Sequence, residues 1–171
     1  AADTTLGRIL DAIEQQPEPW LTAVTSDHGF STVTPVLGDT DIATALAAAG
    51  LKESPTSDDV VPVDGGIYLR DAATDRSPAI IDLLQRLPGI GPLFTGGGMN
   101  DAPVLDGTMS RALIRGGGDL APDIQLSVHW SAAENAQGTA GLCAGPKGRL
   151  AGTHGSLSPF EVLNTLIMAG P

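Results

Sequence analysis

An amphipathic helical segment runs straight into an apolar strand near the start of the sequence, and this junction constrains the fold more than any other feature. From Thr4 to about Gln16, Leu6, Ile9, Leu10 and Ile13 recur at the i, i+3, i+4, i+7 spacing of one helix face. Pro17 and Pro19 end that helix. Trp20 to Thr25 follows, an apolar run of strand length with β-branched residues. It stops at Ser26-Asp27-His28-Gly29, and Phe30 to Val36 reads as extended again. Helix, buried strand and polar turn in this order predict an α/β fold, in which chemistry collects beyond the carboxyl ends of the strands.

Further elements follow the same logic. Asp39-Thr40-Asp41 is suited to cap a short Ala-rich helix through about Ala49, which Gly50 stops. Lys52 to Asp59 is polar, contains Pro55 and reads as a surface loop. Val60 to Val63 and Ile67 to Leu69, separated by Asp64-Gly65-Gly66, predict a hairpin. Ser77-Pro78 marks a helix start whose buried face is Ile80, Ile81, Leu84 and Leu87, closed by Pro88-Gly89. Ile90 to Thr95 and the alternating Ile124 to Val128 read as strands. Ser158-Pro159-Phe160-Glu161 is a capping box, and Phe160, Leu163, Leu166 and Ile167 then predict a C-terminal helix reaching Ala169.

Composition narrows the function. Twenty acidic residues against nine basic ones leave a net charge of −11, a field that repels phosphate backbones and anionic lipid surfaces. A nucleic-acid-coating role and a polybasic membrane role are therefore disfavoured, whereas a small phosphorylated substrate stays open. No apolar run approaches the ~18 residues of a membrane-crossing helix, and the opening residues have no basic and apolar leader pattern. The 22 glycines and 13 prolines predict short elements and many loops. A single cysteine, Cys143, excludes an internal disulfide and any multi-cysteine zinc site, and reads as a small buried hydrophobe. Gly96-Gly97-Gly98 and Gly116-Gly117-Gly118 lack the lysine and following helix of a phosphate loop and read as turns.

Three histidines remain. His129 lies beside Trp130 in a strand-like stretch and reads as a packing or surface residue. His28 and His154 each precede a glycine in a polar turn, and His28 has a carboxylate, Asp27, beside it. Imidazole nitrogen with carboxylate oxygen suits zinc and related ions. On spacing alone the same residues also fit an ordinary surface turn, since Asp commonly fills turns.

Resemblance adds a direction. Thr22-Ala-Val-Thr-Ser-Asp-His-Gly29 resembles the strand and metal-binding turn of the alkaline phosphatase superfamily. Gly152-Thr-His-Gly-Ser156, with the following Ser-Pro segment ending at Gly170-Pro171, resembles that superfamily's later histidine turn. Together with Asp3-Thr-Thr-Leu-Gly-Arg8 they are most similar to the type I phosphodiesterase/nucleotide pyrophosphatase family, and residues from about 51 to 125 are the least specific part. The resemblance implies that Asp27 and His28 bind one of two divalent metal ions, usually zinc, and that His154 binds the other. Two such ions polarise a phosphoryl oxygen and activate a hydroxyl nucleophile. Each histidine then needs a partner that fixes its tautomer, and the sequence does not reveal one.

The family also carries an earlier metal-binding aspartate, a Ser or Thr nucleophile and an Asp-x-x-x-His pair, none of which matches a position here. The expectation is the C-terminal half of a metal-dependent phosphoric ester hydrolase, inactive alone, with no catalytic residue assigned. The implied fold is α/β, part of an alkaline-phosphatase-like three-layer sandwich. Residues 1–50 would form a core segment with the first metal-binding turn, and 51–118 an inserted α+β subdomain. Residues 119–171 would return to the core with the second turn and the C-terminal helix. Exposed sheet edges would associate with the missing half or a partner. The alternatives are a non-catalytic α/β domain keeping the scaffold, and a relative acting on monoesters, phosphonates or sulfate esters. An extracytoplasmic location follows from the resemblance only.

Overall fold

The computed structural model describes residues 2–37, 39–96, 104–146, 148 and 151–170. The chain is a mixed α/β structure. Helix α1 (Ala2–Glu14) leads to β1 (Thr22–Thr25), β2 (Ser31–Pro35) and helix α2 (Asp39–Ala48). The side chains of Asp39 and Thr40, expected in the cap of α2, lie outside the described residues, as do Gly97 and Gly98 of the first glycine triplet. The hairpin β3 (Val60–Val63) and β4 (Gly66–Leu69) is followed by a 3-10 turn (Asp71–Arg76) and α3 (Ser77–Leu84). Then come β5 (Ile90–Thr95), β6 (Met109–Ser110), β7 (Ile124–Val128), β8 (Trp130–Glu134), β9 (Ala140–Gly145), β10 (Gly152–Thr153), helix α4 (Pro159–Val162) and β11 (Leu166–Ala169).

Among the described residues the strands form three sheets. A five-stranded sheet has the order β3-β4-β7-β5-β6, with only β5 and β6 parallel. The hairpin turns at Asp64-Gly65, where Gly65 has φ 81°, a conformation open to glycine at no steric cost. Helices α2 and α3 cover this sheet: Ile42, Leu46, Ile80, Ile81 and Leu84 are buried with Val60, Ile67, Leu93, Ile124 and Leu126 in one core. The helix face read from the spacing of Ile80, Ile81 and Leu84 is the face that is buried. Strand β7, just beyond residue 118, sits at the centre of this sheet, between β4 and β5.

The second sheet has the order β10-β2-β9-β8. Its β2–β9 pair is parallel, which requires a long crossover, and the chain between those strands contains the whole five-stranded sheet. The backbone of His129 joins the two sheets: its N–H donates to Gly89 O and its carbonyl accepts from Ala144 N–H, both at 2.8 Å. Its side chain is exposed.

Three expectations are corrected. The strand expected to be buried is largely open, with Trp20 54% and Leu21 63% exposed and β1 alternating between half-buried and exposed, because it pairs with the exposed β11 rather than joining a larger sheet. The loop from Lys52 to Asp59 is not wholly at the surface: Lys52 is 3% exposed and Asp59 8%. Lys52 Nζ donates to the carbonyls of Ser57 and Val60 and lies 3.9 Å from Asp59 Oδ1, and Arg76 pairs with Asp59 Oδ2 at 2.9 Å. Burial is tolerated because the charges are paired and hydrogen-bonded.

The expected C-terminal helix is also much shorter. Ser158 does start a helix, its Oγ accepting from Phe160 N–H, but α4 ends at Val162 and Leu163 is extended at φ −87°, ψ 107°. Leu166 to Ala169 instead pairs antiparallel with β1, Leu166 opposite Thr25 and Ala169 opposite Thr22. A strand with open edges offers a ladder of backbone hydrogen bonds, and this non-local pairing overrides a helical spacing that only four apolar residues supported.

Candidate functional site

The site is built where β2 begins and β10 ends. Thr153 lies opposite Ser31 and Gly152 opposite Thr32 in an antiparallel pair. Continuing that register brings the turn after Thr153 against the turn before Ser31. The two histidine turns, remote in sequence, therefore meet at one sheet end.

The side chains meet as well. The rings of His28 and His154 stack with centroids 3.8 Å apart and planes inclined by 20°. Phe30 presents its ring edge-on to both, at 5.1 Å from His28 and 5.4 Å from His154, a favoured aromatic geometry. His28 is half-buried, whereas Asp27 and His154 are exposed. His28 Nε2 lies 3.5 Å from Asp27 Oδ2, and Asp27 Oδ1 accepts the His28 N–H at 3.0 Å. Sequence reasoning did not find Phe30, whose position follows only from the strand register.

His28 Nδ1 stands 2.8 Å from Gly29 O. A carbonyl only accepts, so in this contact Nδ1 is the donor, and Nε2 is the ring nitrogen turned toward Asp27. It supplies the tautomer-fixing partner that the sequence did not reveal, in the form usual for metal-bound histidine.

A segment behind the turns holds them. Gly29 N–H donates to Glu161 O at 2.8 Å, and Asn164 Nδ2 donates to Ser26 O. Gly29 must be glycine for steric reasons: a Cβ there would stand 2.0 Å from Phe160 O. Ser156 N–H donates to Glu161 Oε2 at 2.7 Å, and Ser158 N–H donates to Ser156 Oγ at 3.1 Å. The capping box is thus altered. Glu161 does not reach back to Ser158 N–H but holds the turn that follows His154. Cys143 is buried beneath, and burial pushes its thiol up to about 11, with Glu161 adding to the shift. A thiol held protonated in this way is inert as a nucleophile.

The donor atoms present fit a metal ion in part. Two ligands each about 2.0–2.1 Å from a tetrahedral zinc ion stand roughly 3.3–3.4 Å apart, close to the 3.5 Å between His28 Nε2 and Asp27 Oδ2. Imidazole binds a metal in its ring plane, and two nearly parallel rings share no such position, so His154 does not complete the same coordination sphere. Among the described residues no group of three or more His, Cys, Asp or Glu side chains is placed to hold a metal ion.

Fold and site together define a mixed α/β chain with two converging histidine turns. Compared with known proteins, it matches no family model, no curated protein and no solved structure.

Proposed function

We propose that the two turns are this chain's share of the two-metal centre of a phosphoric ester hydrolase of the phosphodiesterase/nucleotide pyrophosphatase type, within an alkaline-phosphatase-like sandwich. The observation that carries the reading is the stacking of His28 on His154, with Asp27 beside His28 Nε2. Asp27 and His28 would hold one ion and His154 the other. Such ions, when bound, polarise the phosphoryl oxygen and activate the nucleophile.

The chain's own residues position the rings. Gly29 O accepts from His28 Nδ1, Phe30 packs edge-on against both rings, and Asp27 gives the exposed mouth a negative charge. No nucleophile is assigned to this chain, so the 171-residue chain alone takes up metal weakly and does not turn over. The exposed side chains of Leu163, Leu166, Ile167 and Met168 support association with a further part of such an enzyme. No helix among the described residues is long and apolar enough to cross a membrane. Zinc titration of the chain against His28→Ala and His154→Ala tests the proposal: each variant should lose at least tenfold in affinity. Equal uptake by all three defeats it and favours a non-catalytic α/β domain.

A further inference from the structure

Glu161 is 2% exposed, yet carries two polar oxygens into the interior. Its Oε2 accepts the Ser156 N–H at 2.7 Å, two residues beyond His154. Its backbone carbonyl accepts the Gly29 N–H at 2.8 Å, one residue beyond His28. One residue therefore holds both histidine turns, one through its main chain and one through its side chain. The other oxygen, Oε1, is buried with no N–H or O–H donor on it among the described residues, and the carboxyl lies beside the weakly donating Cys143 thiol. A buried oxygen so poorly satisfied costs stability, and an apolar side chain of the same length would avoid that cost.

We infer that Glu161 is a positioning residue that sets the spacing of the two histidine turns and so holds the His28 and His154 rings in their stack. The retained cost has a purpose in this geometry. The buried Ser156 N–H needs an acceptor, and Glu161 Oε2 supplies it at 2.7 Å, tying α4 to the turn after His154. Ser158, which starts α4, is fully buried and bonded to Ser156 Oγ and Ser31 Oγ. The base of the clamp is therefore fixed, and the turns hang from it. The same base leaves no room for a side chain at Gly29, where a Cβ would stand 2.0 Å from Phe160 O.

The test compares Glu161→Met, which keeps length and burial but removes the acceptor, with Glu161→Gln, which restores a neutral acceptor. In the full 171-residue chain without metal, nuclear Overhauser contacts between the two imidazole rings report the stack, and Ser156 amide exchange reports the clamp. Glu161→Met should keep its far-ultraviolet dichroism, lose the ring contacts and exchange the Ser156 amide at least tenfold faster. Glu161→Gln should keep both. Ring contacts that persist in Glu161→Met, or that vanish equally in Glu161→Gln, overturn the inference. Should Glu161→Met not fold, Glu161→Gln decides alone: Ser156 protection and ring contacts kept together uphold the clamp, and loss of either overturns it. A zinc arm rests on the metal-centre reading and expects a 10–100-fold loss of affinity in Glu161→Met. If the unmodified chain takes up no zinc, that reading fails, while the metal-free arm still judges the clamp.

Discussion

The five-stranded sheet and the β1–β11 ribbon hold their apolar residues in opposite ways. Under the sheet, Leu46, Ile67, Ile80 and Leu84 are all 0% exposed, packed between α2, α3 and the strands. In the ribbon every residue of β11 is exposed and β1 alternates between half-buried and exposed. Helix α1 buries none of its residues although it presents a continuous apolar stripe. Two strands without a packed face are marginal in water, so this chain's stability resides in the sheet and its two helices. The histidine turns lie between these regimes. They are fastened to β2, β10 and α4, with exposed ribbon strands on one flank, and their geometry depends on a few hydrogen bonds rather than on a core.

The largest expected effect tests this division. Leu46→Ala or Leu84→Ala should destabilise the chain by about 2–5 kcal/mol, the range for deleting a buried leucine side chain. Ile167→Ala in the ribbon should change stability by no more than about 0.5 kcal/mol. Denaturant unfolding of the variants measures both. Equal losses at the two places would mean that the ribbon is buried in solution, and the comparison would break.

Two glycines sharpen it at an intermediate size. At Gly29 an added Cβ meets the Phe160 carbonyl, a backbone group that cannot swing aside, so Gly29→Ala should cost about 1–3 kcal/mol as an overpacked contact. It should also break the Gly29–Glu161 bond and separate the imidazole rings. At Gly7, inside α1, nothing lies within 4 Å of the added carbon, and Gly7→Ala should be neutral or stabilising by about 0.5–1 kcal/mol. Unfolding curves for the pair show whether the turn is as tightly held as the structure has it. A neutral Gly29→Ala would mean that the turn moves freely on α4.

What could be read from the residues divides along the same line. The α3 face and the Asp64-Gly65 hairpin were legible because each is set by local spacing and turn chemistry, and the core that formed on them agrees with both. The end of α4 was not. Leu163, Leu166 and Ile167 satisfy helical spacing, but β1, some 140 residues earlier in the chain, decides their state by pairing with them. The candidate site was legible as residue types, Asp27, His28 and His154, and not as geometry. Their meeting depends on the β2–β10 register, which no local pattern encodes. Glu161 was hidden by a sufficient local explanation: a glutamate three residues after a capping serine already has a role, and only the fold shows it turned toward Ser156.

The smallest effect belongs to the acid side of stability and arises within the buried half of the comparison. Burial pushes the Asp59 carboxyl upward, but hydrogen bonds from the Ser57 hydroxyl, the Arg76 guanidinium and the Glu53 N–H, together with the Arg76 charge, outweigh it and hold the group at about 2 rather than 3.8. Because the folded value lies below the unfolded one, the stabilisation is complete above pH about 4 and is lost as pH falls toward about 2. Stability measured between pH 5 and pH 2 should therefore decline less steeply in Asp59→Asn than in the unmodified chain. The Asn variant should also start lower at pH 5, since Lys52 and Arg76 would lose the carboxylate that they share. An unchanged slope in Asp59→Asn would show that the Lys52–Asp59–Arg76 cluster opens in solution, and that the sheet is less tightly closed at this edge than its core.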